Sequence, residues 1–260
     1  MKVRRWFLQI AGDFLAAVQF LTRVPVPAMP YRADTLSRAV KFFPIVGLLI
    51  GAAAALLHGL FAGHLPRPVA ALFVVAFMVL LTGCFHEDGL ADAADGLGGG
   101  WSREQILRIF KDSRIGSYGG AALSLALLAR VILIASLPLP SVTGYLIAAH
   151  VLCRWSTLPL SFYLSPANEP GVDGTVAGQG ARIARLTTAG TLLFGTLVSL
   201  GISILALHWH ATSATVAAVA VTLVSGFYYH RKIGGVTGDC FGATNQLIEI
   251  AVLLTGVWIS

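Results

Sequence analysis

Apolar runs long enough to cross a bilayer recur along this chain, separated by short polar stretches. A spanning helix needs about 20 mostly apolar residues, and the pattern predicts about seven of them. They fall near residues 39–62, 68–85, 117–137, 142–165, 186–208, 212–230 and 242–259. Upstream, Trp6–Thr22 predicts one more helix, interfacial or half-inserted, because Gln9, Asp13 and Gln19 interrupt its apolar run. A full eighth span is the competing reading. Asp13 within this run, and Pro25 and Pro27 after it, leave no small-residue cleavage site of the signal-peptide kind. The expected fold class is all-α, a polytopic membrane helix bundle. No linker or low-complexity tract divides the chain, so residues 1–260 read as a single membrane-embedded domain.

Composition supports this reading. Hydrophobic residues make up 56% of the chain and charged residues 12%, against roughly 25% charged in an average soluble protein. The net charge of +6 becomes informative once it is placed on loops. With about seven spans, segments 24–38, 86–116, 166–185 and 231–241 share one side with the N-terminus. That side collects every Lys and Arg except Arg67, which faces the other side, and Arg130 and Arg154, which lie within spans. The positive-inside rule makes the rich side cytoplasmic. The cations are dispersed along membrane edges with no basic run, which argues against nucleic acid as a partner. Cys84, Cys153 and Cys240 have no metal-type spacing and read as packing residues rather than a disulfide framework.

The polar chemistry is concentrated in "FHEDGLADAADGLGGG", Phe85 to Gly100. Asp88, Asp92 and Asp95 stand at i, i+4 and i+7, so on a helix they fall within about 60° of one another. Three carboxylates on one stripe repel, and near a bilayer their charge is costly to leave unpaired. A divalent cation is the simplest neutraliser, and all-oxygen ligation favours Mg²⁺, Mn²⁺ or Ca²⁺. A solvated acidic helix start, favoured by the helix dipole, would account for Glu87 and Asp88 but not for Asp92 and Asp95 deeper in the helix.

Two further polar islands follow. "KDSRIGSYGG" brings Asp112 between Lys111 and Arg114, an acid for metal flanked by cations suited to phosphate oxygens; taken alone, it would read as a surface ion pair. "GGVTGDCFGATNQLIEI" places Asp239 at the start of the last span and Glu249 inside it. An acid within a span is a functional candidate or the counter-ion of a buried Arg, and Arg130 and Arg154 are the available partners. Arg154 shares a helix face with His150 and could offer its guanidinium to a phosphate or to Glu249. Among the histidines, His86 is set apart only by adjacency to Asp88; His58, His64, His208 and His210 read as packing or interfacial groups on the far side, and His230 as a span-ending anchor.

These three blocks resemble the signature blocks of cobalamin synthase, the adenosylcobinamide-GDP ribazoletransferase family. "FLTRVPVP" and "FFPIVGLLIG" resemble that family's N-terminal blocks, so the likeness runs in order over nearly the whole chain. The resemblance implies a transferase in which α-ribazole, or its 5′-phosphate, attacks the pyrophosphate of adenosylcobinamide-GDP. The nucleotide loop of vitamin B12 is thereby closed and GMP released. It also implies dependence on Mg²⁺ and a multi-pass place in the bacterial inner membrane, among membrane lipid, with the active-site loops facing the cytoplasm. The family's paired acids fall on Asp88, Asp92 and Asp95, its basic-acidic block on Lys111, Asp112 and Arg114, and its last block on Asp239 and Glu249. This chain departs from the pattern at Glu87, where an apolar residue is usual, at Ala93, where a small hydroxyl residue is common, and at Gln246, where an acid is often found.

Taken together, Asp88, Asp92, Asp95 and Asp112 are the catalytic candidates, and Asp88, Asp92, Asp95 and Asp239 the metal ligands. Lys111, Arg114, Arg154 and His86 are the substrate-binding candidates. A phospholipid-synthase type of membrane transferase and a transporter are the alternatives, and a homo-oligomer is left open. The clustering of acids at one membrane face, with no inverted internal repeat, argues against a transporter.

Overall fold

The structure, a computed structural model, describes residues 2–27, 35–167 and 187–259. Arg32, Arg182 and Arg185, which contribute to the charge asymmetry, lie outside the described residues. The first helices are α1 (Lys2–Leu21), α2 (Thr35–Ala39), α3 (Phe43–Ala62), α4 (Arg67–Thr82), α5 (Phe85–Gly99) and α6 (Arg103–Ile109). There follow α7 (Ser117–Ser136), α8 (Leu139–Trp155), α9 (Thr157–Tyr163), α10 (Ala189–Leu207), α11 (Ala211–Ile233) and α12 (Gly238–Ile259). Among the described residues there is no strand, only an isolated parallel bridge between Pro166 and Val236.

By length and hydropathy alone, Thr35–Ala62, Ser117–Ser136, Ala189–Ile233 and Gly238–Ile259 can each cross a bilayer, and α4 joined to α5 makes a bent fifth. Ala189–Ile233, 45 residues long, is better read as two spans. As one straight helix it would extend about 68 Å, more than twice a ~30 Å hydrocarbon core. The chain instead turns at His208, where φ is 52°. Gly195, early in α10, packs against Leu158, and Gly226, late in α11, packs against Leu160 and Leu164. Both limbs therefore reach the level of α9, as in a hairpin. α8, 17 residues long, is enclosed by α3, α10 and α12 in the middle of this helical bundle.

The expected 142–165 segment is divided, because Pro159 has no N–H to offer the Trp155 carbonyl. α8 accordingly stops at Trp155 and α9 begins after Ser156. α3 lies along α8 at glycines: a Cβ on Gly47 would run into the His150 carbonyl, and one on Gly51 would come within 2.7 Å of Ile147 Cα. Such close approach is how helices associate in lipid, where apolar side chains gain nothing by leaving the solvent. For the same reason Leu205 and Leu80 can remain 79% and 74% exposed on the outside of the bundle.

The span ends sort to two faces. Arg67 donates to the Leu137 carbonyl, Gly256 packs on Leu137 and Tyr145, and Gly144 packs on Ala206, which places the α3–α4, α7–α8 and α10–α11 turns together. The opposite face carries α2, α5, α6, α9, the start of α7 and the α11–α12 turn, and is called here the acidic face.

α1 lies along the acidic face. Asp13, 3% exposed, pairs with Arg38 at 3.1 Å and Lys41 at 3.5 Å. Further along, Phe20 meets Phe43 and Phe85, and the Arg23 amide donates to the Leu81 carbonyl at 2.7 Å. From residue 13 to residue 23 these partners belong to α2 and the start of α3, and to the end of α4 and the start of α5. Those ends lie on the same face of the bundle, an arrangement that fits an interfacial N-terminal helix better than a spanning one.

Between α4 and α5 the axis bends by 89°. Gly83 and Cys84 are both left-handed, with φ of 67° and 60°. The Cys84 amide reaches the Val79 carbonyl at 3.0 Å and the Gly83 amide the Leu80 carbonyl at 3.2 Å, the bond pair of a Schellman helix end. α4 thus stops as a span, and α5 runs across the acidic face, outside the spanning segments.

Candidate active site

α5 is two-faced. Asp88 is exposed, and Asp92 and Asp95 are half-buried along the same stripe. On the opposite side, Leu90, Ala93, Ala94 and Leu97 face Val224, Tyr228, Ala243 and Leu247 of α11 and α12. The crossing of α5 with α12 is set by glycines: a Cβ on Gly89 would stand 3.1 Å from both Gly242 Cα and the Asp239 carbonyl oxygen. Backbones this close bring Asp239, in the first turn of α12, to the acidic stripe. The electrostatic consequence is carried by Asp92, pushed up to about 7 by burial first and then by the charges of Asp88, Asp239 and Asp95. Four carboxylates contributed by two helices therefore form one negative cluster.

Asp95 differs from the others because both its oxygens are engaged. It accepts from the Gly116 amide at 2.7 Å and the Gly119 amide at 2.8 Å, closing the exposed N-terminus of α7. Asp112 is paired with Arg114, Oδ2 to Nη2 at 2.7 Å and Oδ1 to Nε at 3.0 Å. That pairing holds the Asp112 carboxyl down at about 2. The Arg114 side chain is 87% exposed and Lys111 is exposed, so both are open to solvent on the acidic face.

Arg154 and His86 lie deeper. Arg154, 2% exposed, donates from Nη1 to the His150 carbonyl at 3.2 Å and lies 3.0 Å from His150 Nδ1. Its Nη1 is engaged within α8 while its Nε is buried without a hydrogen-bond partner, and among the described residues it is not the ionic partner of Glu249. Arg130 of α7 has that role. Its Nε stands 2.8 Å from Glu249 Oε1, although the N–H is not aligned as a hydrogen bond. Arg130 Nη1 donates to Glu87 Oε1 at 2.7 Å and to Gln246 Oε1 at 3.1 Å. His86, 5% exposed, is within electrostatic reach of Arg154, His150 and Arg130. The two departures Glu87 and Gln246 thus meet on one guanidinium, which no spacing could reveal. The inventory of span charges held a clue, because Arg130 and Arg154 outnumber Glu249.

The aspartates do not converge tightly. Among the described residues, His150, Cys153 and Glu249 are the set whose ligand atoms all lie within 4.8 Å of one another. Arg130 and Arg154 abut that set, and two guanidiniums repel a cation. With oxygen donors only, the open aspartate cluster is therefore the better fit to a hard divalent ion.

Fold and site together define a multi-pass, all-helical membrane enzyme with its acidic chemistry gathered at one face. The family model for cobalamin-5-phosphate synthase matches residues 13–257. The adenosylcobinamide-GDP ribazoletransferase of Ralstonia nicotianae is 38% identical over 242 residues, covering 91% of each chain. That of Azorhizobium caulinodans is 42% identical over 266 residues, covering 95% of each, and that of Vibrio cholerae is 36% identical over 244 residues, 93% of this chain and 91% of the relative. No solved structure matches significantly. The chain belongs to the cobalamin-5-phosphate synthase family.

Proposed function

We propose that this chain is an adenosylcobinamide-GDP ribazoletransferase, acting in the nucleotide-loop step of cobalamin biosynthesis. A hydroxyl oxygen of α-ribazole, or of its 5′-phosphate, attacks the phosphorus attached to cobinamide. The new P–O bond forms as the bond to the guanylyl phosphate breaks, GMP leaves with the electron pair, and the hydroxyl proton passes to a carboxylate. The observation that carries this reading is the cluster of Asp88, Asp92 and Asp239 built across the α5–α12 crossing.

Those three residues would hold Mg²⁺, with Asp95 at the rim, since their donors are all oxygen and their mutual repulsion calls for a cation. When bound, the ion supplies neutralisation of the pyrophosphate charge. Lys111 and Arg114 are placed to take phosphate oxygens, Arg114 by exchanging its Asp112 partner for one. Asp95 fixes the loop between them and α7. Orientation follows the charges: the acidic face holds Arg103, Arg108, Lys111, Arg114, Arg231 and Lys232, and the other face Arg67, which supports a cytoplasmic active site in the inner membrane.

The test is GMP release and cobamide formation by detergent-solubilised protein given adenosylcobinamide-GDP, Mg²⁺ and the two acceptors in competition. EDTA should stop it. Coupling of a nucleotide-activated lipid to an alcohol, with no cobamide formed, would overturn the reading in favour of the phospholipid-synthase type.

A further inference from the structure

We infer that Arg130 is a positioning residue for the aspartate cluster, acting through Glu87. This rests on the function proposed above and adds a component on a third helix that touches neither substrate nor metal. Arg130, 1% exposed, reaches from α7 to Glu87 on α5 and to Gln246 and Glu249 on α12. Those are the two helices that carry Asp88, Asp92 and Asp239.

The glycine contact and the apolar side of α5 set how near the helices come and which side of α5 meets α12; the Glu87–Arg130 pair adds a polar constraint on how α5 is rotated about its own axis. Neighbouring helix residues point about 100° apart. Pinning Glu87 inward on Arg130 therefore aims Asp88, and with it Asp92 and Asp95, outward to the face. The burial pattern agrees, since Glu87 is 4% exposed while Asp88 is exposed. A buried ion pair adds little net stability but specifies one arrangement well.

A carboxylate from either helix can satisfy the guanidinium. Glu87 Oε1 and Gln246 Oε1 share Arg130 Nη1, and Gln246 Nε2 donates to Glu87 Oε1 at 3.3 Å. Exchanging acid and amide between the two positions preserves every partner and the net charge. Removing the Glu87 charge alone does not.

The experiment compares the unmodified protein, Glu87→Gln, and the exchanged Glu87→Gln/Gln246→Glu. Mn²⁺ binding is read by electron paramagnetic resonance, and GMP release and thermal unfolding are read in parallel. Glu87→Gln should lose roughly tenfold or more in Mn²⁺ affinity and kcat, the scale of residues that orient metal ligands. The exchanged variant should recover to within about threefold. Arg130→Lys, which keeps the charge but not the fork, should fall between them. If Glu87→Gln matches the unmodified protein, or if the exchange fails to rescue a folded variant, the inference is overturned. A folding defect alone would lower the unfolding temperature without moving Mn²⁺ affinity, and that result would also overturn it. If the unmodified protein releases GMP but binds no Mn²⁺, the metal reading fails and rescue of kcat decides the matter. If it binds Mn²⁺ but releases no GMP, the proposed reaction fails and Mn²⁺ affinity decides.

Discussion

The Asp95 carboxylate takes the Gly119 amide at 2.8 Å and the Gly116 amide at 2.7 Å, so one acid of the stripe is tied to the next helix. Asp95→Ala frees two amides at the start of α7 and should lower stability by about 1–2 kcal/mol. Asp95→Asn keeps one acceptor and should cost less. Thermal unfolding in detergent orders the variants, and an Ala variant as stable as the unmodified protein would remove the capping role.

Asp88→Asn, Asp92→Asn and Asp239→Asn should each lose turnover on the order of 10²-fold or more, because several kcal/mol of charge stabilisation depend on the ligands. Membrane insertion should be intact. Kinetics at rising Mg²⁺ check this, and near-normal Mg²⁺-dependent rates in all three would refute the site.

Asp92 stands at about 7 in the metal-free protein. With a folded pKa raised above an ordinary value of ~3.9, its contribution to stability is complete below about pH 4 and lost as pH rises through about 7. Metal-free protein should thus melt at lower temperature at about pH 8 than at about pH 5.5, and Mg²⁺ should reverse the loss at the higher pH. The same proton competes with the metal, so apparent Mg²⁺ affinity should fall as pH drops below about 7. Melting curves with EDTA and with Mg²⁺ across this range test both statements.

Arg114 presents a two-point fork to Asp112, the geometry it would offer a phosphate. Arg114→Lys should reduce kcat/KM for adenosylcobinamide-GDP by roughly tenfold, since a point charge does not reproduce the fork. An unchanged value would leave Arg114 as a surface pair only.

Single cysteines placed at Ser113 and Gly238, in a background lacking the native thiols, should react with a membrane-impermeant reagent only after the inner membrane is opened. One at His64 should react from the periplasm. The reverse pattern would invert the orientation.

The spans were legible because hydropathy reports length directly, and the acids because their spacing survives as a helical stripe. What escaped was whatever depends on backbone far away in sequence. Asp95 reads as a ligand by spacing, yet its partners are amides of the next helix. The plane of α1 depends on Asp13 finding Arg38 and Lys41, and the inward turn of Glu87 depends on Arg130 of α7. Arg154 read equally as phosphate binder or counter-ion because its neighbours on other helices are invisible along the chain.

The bend at Gly83 and Cys84 has a consequence for the surrounding lipid. α4 has 16 residues, about 24 Å of helix against a hydrocarbon core of about 30 Å, and the acids hang from its end. In a thick membrane this short span draws α5 down towards the acyl chains, while in a thin one α5 rides among the head groups where carboxylates are hydrated. The thickness of the host bilayer should therefore influence the depth at which the acids sit, and activity in bilayers of different acyl-chain length would report it.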